Sequence, residues 1–439
     1  MTISIMSNSL SPEKNKADAS HDLSRLPKWK IDMHTHILPK KWPSHFPGVD
    51  LELQIFAENE ENQFEPQCNF VPFERPTGFV AQMQWRKGSG RAKELSADGG
   101  TKPVLFRKCR ANLFDCEEVL KDCDAYGTDL QVLSTVPVMF NYQLAPTIGA
   151  EWSKFLNQDM GRVCKTCSQP GRLAGLGTLP LQHPELAAKE AERAVLEDGL
   201  KGFQIGSHVN MPNGEKNMYL YDKRLDCVWQ TLERLGAPLL VHPWDMEYID
   251  SKYWLPWLVG MPAEMSLSMC HIMLSGVMDR FRNLKWMFSH GGGAVPGTLG
   301  RIEWGYRCRP DLVGLDSAKT NPREAFKRLY LDSITHDENM LQHVIRNLTT
   351  ADKVALGSDY PFPLGEVPSV APGTVDALSG AILDTYPGEM VETTPFLSDS
   401  EREQILYKTG LEFLNMREQE LVKHDRTKGF RCTDRFTYM

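Results

Sequence analysis

The stretch Trp29-Lys30-Ile31-Asp32-Met33-His34-Thr35-His36-Ile37-Leu38-Pro39 is a β-type apolar run that ends in His-x-His, after which a proline turns the chain away. Side chains alternate along a strand, so His34 and His36 lie on one side, about 7 Å apart at Cα. Two neutral imidazoles at that spacing can grip one divalent cation. A doubly wound nucleotide-binding sheet would place a glycine-rich phosphate loop after its first strand. This chain has His-Thr-His there, which disfavours that architecture.

Outward from this strand, short β-branched or apolar runs recur with helical patterns between them. They cover residues 30–34, 129–135, 172–179, 201–206, 238–242, 284–290, 329–333 and 353–358. Asp115 opens one intervening helix, with Glu118 three residues on as in a capping box. Pro184 stands at the first turn of another, ahead of strong helix formers from Glu185 to Glu192. Eight β units with helical crossovers predict an α/β fold, the (β/α)8 TIM-type barrel. Nearly a hundred residues separate the first two strands, far beyond an ordinary connection. Within them, 44–78 is polar and proline-dotted, and 79–107 shows short alternating pieces around Gly88, Gly90, Gly99 and Gly100. The segment of about 44–107 is read as a small β-rich insertion domain over the barrel mouth. The barrel domain spans 29–416, with helical stretches near 372–386 and 398–416. Residues 1–28 read as a disordered extension and 417–439 as a loose tail.

The chain has 439 residues, 41% apolar and 24% charged, as in an ordinary globular protein. Its formal net charge of −8 argues against nucleic acid as the main partner. No apolar run reaches the eighteen or so residues needed to span a bilayer, so no membrane partner is expected. The first 27 residues lack the apolar core of a signal peptide, and their acids and single Arg25 do not suit a mitochondrial leader. A cytoplasmic location follows, with the ten cysteines as reduced thiols. Cys164 and Cys167 form a C-x-x-C inside a helical pattern with no partner pair, and a redox or zinc role there is disfavoured.

In a barrel of this kind, chemistry sits at the C-terminal ends of the strands. Strand one ends in His34 and His36, strand five in His242, strand six in His290-Gly291-Gly292-Gly293, and strand eight in Asp359. A packed core histidine is the ordinary explanation of any one of these. Five such groups, each directly after an apolar run, point instead to a site. His34, His36, His242 and Asp359 can together bind one divalent ion, and three nitrogens with one carboxylate suit Zn²⁺; Fe²⁺, Co²⁺ and Mn²⁺ fit the same donors. An ion so held activates water near neutral pH. His290, freed of bulk by three glycines, can carry a proton. Arg107 lies on the insertion domain, and Arg301 and Arg309 flank the helix after strand six. Their forked guanidinium groups suit carboxylates, although by themselves they carry little weight. His208 and His336 are candidates for the surroundings of the site. His21, His45, His183, His271, His343 and His424 read as surface or packing residues. The apolar Trp254–Leu258 run, Trp257 above all, reads as pocket lining.

The motifs Met33–Lys40, Leu133–Phe140, Val241–Met246, Tyr253–Glu264, His290–Gly293 and Ser358–Glu366 resemble, in order, those of the aminocarboxymuconate-semialdehyde decarboxylase family of the amidohydrolase superfamily. The resemblance runs from about residue 30 to 416. It implies zinc-dependent, non-oxidative removal of CO₂ from 2-amino-3-carboxymuconate 6-semialdehyde in the kynurenine route of tryptophan degradation, which limits quinolinate and NAD formation. It implies one Zn²⁺ per subunit on His34, His36, His242 and Asp359, with His290 as the catalytic histidine. It further implies Arg107 on a substrate carboxylate, Trp257 in the pocket wall, and Arg301 and Arg309 reaching the partner's site in a homodimer. A related benzoate-type decarboxylase or a hydrolase would share fold and metal. No lysine able to be carbamylated stands after strand four, where Gln204 and His208 lie. The first 28 residues, the long 44–78 stretch and the extended tail depart from the pattern.

Overall fold

The structure, a computed structural model, describes residues 27–422 except 44–45, 56–80, 90–91, 94–95, 247–248, 251, 316–317 and 367–384. The expected extension over 1–26, most of the helical stretch over 372–386, and the tail beyond 422 lie outside the described residues. So do His21, His45 and His424.

Every expected barrel strand forms. In chain order the strands are β1 (Ile31–Ile37), β2 (Leu51–Ile55), β3 (Ala81–Trp85), β4 (Val104–Cys109), β5 (Leu130–Thr135), β6 (Leu173–Gly177), β7 (Gly202–Gly206), β8 (His208–Val209), β9 (Met218–Tyr219), β10 (Leu239–His242), β11 (Trp286–Phe288), β12 (Tyr330–Asp332) and β13 (Val354–Ala355). Eight of them make one parallel sheet in the order β1-β5-β6-β7-β10-β11-β12-β13. Its ends meet: the Met33 amide donates to the Leu356 carbonyl at 2.9 Å, the His36 amide to Tyr360 at 2.7 Å, and the Asp359 amide to His34 at 2.9 Å. The sheet is therefore a nearly closed barrel. β1 is longer than its sequence suggests, so His34 and His36 lie within it rather than at its end.

Period two sorts the strand residues between two cores. Leu133, Phe203, Leu239, Val241, Trp286, Phe288, Leu331 and Val354 pack against the surrounding helices. Ile31, Val132, Leu176, Leu240, Met287, Tyr330 and Ala355 form a second cluster inside the barrel, completed by Tyr407, Leu411, Phe413 and Leu421 from the C-terminal segment. Every barrel strand but β7 contributes to that inner cluster.

The insertion carries an antiparallel sheet, β2-β3-β4. β3 and β4 fall where the alternating pieces predict them. β2 lies inside the polar 44–78 stretch, where no strand is expected from the sequence: only Leu51 of its five residues is fully buried, too little to show as alternation. Leu51, Ala81, Met83 and Cys109 pack on Trp152 and Leu156 of the helix Pro146–Thr166, which seats the sheet on the barrel. Asp115 caps the helix Cys116–Tyr126 through the Glu117 amide, while Glu118 pairs with Lys121 rather than closing a capping box. Cys164 ends up within the helix Pro146–Thr166 and Cys167 at its C-terminal boundary, both as free thiols.

Candidate metal centre and active site

On β10, β11, β12 and β13 the inward phase runs upward from apolar to polar. Leu240 is followed by His242, Met287 by Ser289, Tyr330 by Asp332, and Ala355 by Gly357 and then Asp359. At this upper level His34, His36, His242 and Asp359 converge, all buried, with ligand atoms within 4.8 Å of one another. The His34 and His36 Nε2 atoms are 3.2 Å apart, and Asp359 Oδ1 is 3.1 Å from His36 Nε2 and 3.5 Å from His34 Nε2.

Hydrogen bonds on the far side of each ring settle where its proton sits. His36 Nδ1 lies 3.1 Å from the Thr135 carbonyl and His242 Nδ1 2.5 Å from the Pro243 carbonyl. A carbonyl only accepts, so both rings carry hydrogen on Nδ1. His34 Nδ1 lies 2.7 Å from the Asp332 carboxylate and donates to it. The three Nε2 lone pairs therefore face one another and a carboxylate. Four acceptors packed away from water repel unless a cation lies between them. His242 Nε2 is buried with no hydrogen-bond partner among the described residues. The donor set thus fits a divalent ion, with each imidazole oriented by an oxygen behind it.

The pKa shifts of His242 and His36 agree with neutral rings. Burial, reinforced by the neighbouring imidazoles of His290, His34 and His36, holds His242 well below the ordinary histidine range. Burial also lowers His36. At His34 burial is outweighed by the Asp332 hydrogen bond and the Asp359 charge, and its pKa rises. Asp359 is buried too, yet the neighbouring imidazoles of His290, His36 and His34 hold it well below the usual carboxylate range.

His290 arrives by a different route. Ser289 has the inward phase of β11, so continued extension would turn His290 outward. Instead His290 has φ +54, in the left-handed region, and Gly291, Gly292 and Gly293 follow with φ of +59, +78 and +63. Such a backbone is costly for a non-glycine residue and persists only when its surroundings hold it. The turn brings His290 Nε2 to 3.7 Å from Asp359 Oδ2 and its ring to 4.9 Å from that of His242. Gly293 is required by space as well as by φ, because a Cβ there would stand 2.4 Å from the Pro262 carbonyl.

A cavity of about 920 Å³ opens above the cluster. His242, His290 and Asp359 line its floor, Trp257, Trp254 and Met246 one wall, and Arg107 its lid side. Arg107 projects from β4 with its guanidinium 4.4 Å from the centre of the Phe362 ring, and that ring lies 5.1 Å from His36. Trp257 stacks on Trp254 at 5.8 Å. Arg301 and Arg309 do not line this cavity. Both are exposed on the helix Val295–Cys308 and its C-terminal boundary, Arg309 paired with Asp311 at 2.7 Å. Exposed Trp304, Leu312 and Leu315 accompany them.

His336 lines the cavity, whereas His208 stands behind its wall, bonded to Ser207 at 3.0 Å with its ring 5.8 Å from that of Trp244. His271 is a packing residue against the rings of Tyr219 and Tyr221. Gln204 donates to the Thr135 carbonyl at 2.9 Å, the same oxygen that orients His36. Two carboxylates in this region have no counterpart among the sequence candidates. Asp332 braces His34. Glu264 accepts from the Trp244 and Met246 amides at 2.7 and 2.6 Å and so shapes the turn after β10. Asp332 did carry a signal: it ends a strand, two residues beyond inward-facing Tyr330.

No helix among the described residues is long and apolar enough to cross a membrane. The amidohydrolase family profile matches residues 128–416. The 2-amino-3-carboxymuconate-6-semialdehyde decarboxylase of Dictyostelium discoideum is 36% identical over 389 residues, covering 88% of this chain and 92% of that protein. Among solved structures, Metarhizium anisopliae IDCase superposes with a TM-score of 0.65 at 19% identity, covering 88% of this chain and 97% of that one. A dihydroxybenzoic acid decarboxylase from Polaromonas sp. JS666, solved with bound manganese, gives a TM-score of 0.58 at 22% identity over 72% and 90% of the two chains. The chain therefore belongs to the amidohydrolase family and, within it, to the metal-dependent decarboxylases of the 2-amino-3-carboxymuconate-6-semialdehyde type.

Proposed function

We propose that this chain removes CO₂ from 2-amino-3-carboxymuconate 6-semialdehyde, giving 2-aminomuconate 6-semialdehyde, in the kynurenine route of tryptophan degradation, with one zinc ion per subunit. The observation that carries the proposal is the convergence of three imidazole lone pairs and Asp359 beneath a cavity with Arg107 on its lid side. When bound, the ion supplies Lewis acidity at neutral pH. Arg107 holds a substrate carboxylate with its forked donors, and the Phe362 ring beneath it fixes the guanidinium plane. Trp257 packs on the conjugated chain of the substrate. His290, at its Nε2, moves the proton that activates water or the substrate and returns one to carbon after CO₂ leaves. The enclosing walls exclude water and strengthen each of these charges.

A cytoplasmic homodimer is the proposed working unit. Arg301 and Arg309 are exposed beside apolar Trp304, Leu312 and Leu315 and away from their own cavity, the placement expected of residues that serve a neighbouring subunit. Mixing His290→Ala subunits with Arg301→Ala/Arg309→Ala subunits should restore part of the activity that each lacks alone. No recovery after verified subunit exchange would make the sites independent.

The decisive experiment follows the loss of absorbance of freshly made aminocarboxymuconate semialdehyde and measures metal in the same preparation. Turnover with close to one zinc per subunit is expected. Turnover of 2,6-dihydroxybenzoate instead would move the chain to the benzoate-type decarboxylases, and a metal-free, inactive protein would remove the enzymatic assignment.

A further inference from the structure

Asp332 ends β12, fully buried, with its two oxygens shared among four donors. Oδ2 accepts from His34 Nδ1 at 2.7 Å and from the His290 amide at 2.9 Å. Oδ1 accepts from the Gly291 amide at 2.7 Å and the Ile334 amide at 3.2 Å. One carboxylate therefore grips both a residue of the metal cluster and the first two amides of the left-handed turn that aims His290. The arrangement depends on close approach: a Cβ on Gly357 would stand 2.8 Å from Asp332 Cβ and 2.9 Å from His34 Cβ.

We infer that Asp332 is a positioning residue that sets the metal donor His34 and the turn carrying His290 in one register. Its two tasks are physically distinct. Toward His34 it fixes the Nδ1–H tautomer and makes Nε2 a better donor. Toward His290 it neutralises two amides that would otherwise be buried unpaired in a strained backbone, and so pays for the φ of +54. Loss of the carboxylate should therefore weaken metal binding and, separately, misplace the imidazole. This rests on the assignment above of His290 to proton transfer and of the four residues to the metal.

The test is Asp332→Asn, alone and combined with His290→Ala, with folding checked by circular dichroism. Zinc affinity, read by competition with a chromophoric chelator, should fall about 10–100-fold in both backgrounds. At saturating zinc, kcat should fall on the order of 10²-fold in the native background, with KM changed far less. In the His290→Ala background the same substitution should leave the residual kcat nearly unchanged. The visible spectrum of the cobalt-loaded protein should shift with Asp332→Asn, reporting on the donor His34 without reference to turnover. Asp332→Glu keeps the charge but displaces it by a methylene, and provides the same comparison in a milder form should the asparagine variant not fold. Native zinc affinity, or an equal kcat loss in the presence and absence of His290, overturns the inference. If His290→Ala alone proves fully active, the role of His290 fails, and the affinity and spectral results still decide whether Asp332 braces the metal donor.

Discussion

Leu240 and His242 stand two residues apart on β10 and point into the same barrel interior, yet they belong to layers with different demands. Leu240 lies in the lower layer with Val132, Leu176 and Met287, where apolar side chains need only fill volume. His242 lies one step higher, where three imidazoles and a carboxylate are held buried with their ligand atoms within 4.8 Å of one another. The lower layer stabilises the barrel by excluding water. The upper layer forfeits stability, because buried acceptors face one another, and gains a site whose electrostatics a cation can satisfy. Substitutions in one layer should therefore change folding and in the other chemistry.

The sharpest break is His242→Ala. Metal content should drop well below one equivalent, measured by elemental analysis, and turnover should disappear while the circular dichroism spectrum stays native. His290→Ala should come next, lowering kcat by about 10²–10⁴-fold with the metal still bound. If the metal leaves as well, His290 belongs with the donors. In the lower layer, Leu176→Ala should cost about 2–5 kcal/mol in denaturant unfolding, with metal content per folded molecule unchanged. A loss of metal there would show that the two layers are coupled.

A further effect, small at any one pH step, concerns a buried carboxylate outside the cluster. Burial pushes Glu366 up to about 8 even though the Gly388 amide donates to it, whereas the imidazoles hold equally buried Asp359 low. Glu366 thus keeps its proton in the folded state over a range where the unfolded chain, near the ordinary 4.5, has lost it. Its contribution to stability is full below that value and is lost as pH rises toward 8. The slope is at most about 1.4 kcal/mol per pH unit. Glu366→Gln should flatten the dependence of unfolding free energy on pH across this window, and an unchanged slope would assign it to other groups.

Much of this molecule was legible in the chain. Eight strands, the insertion after the first, and the five polar residues at one rim could be read because period two and rim position are local properties. The antiparallel β2 was not legible, since its half-exposed residues show no alternation and it forms only by pairing with β3. Nor was the aim of His290, which strand phase alone would send outward.

By itself the sequence determined which side chains could meet a metal, because their types and their places after apolar runs are written in the covalent order. Only the tertiary structure decided how they meet. Asp332 is 298 positions from His34, and the carbonyl that sets the proton of His36 comes from Thr135, 99 positions away, whereas the Pro243 carbonyl that orients His242 is local. Tautomer, lone-pair direction and the left-handed turn at His290 follow from atoms brought together by barrel closure. Hydrogen bonds act over about 3 Å of space whatever the distance along the chain.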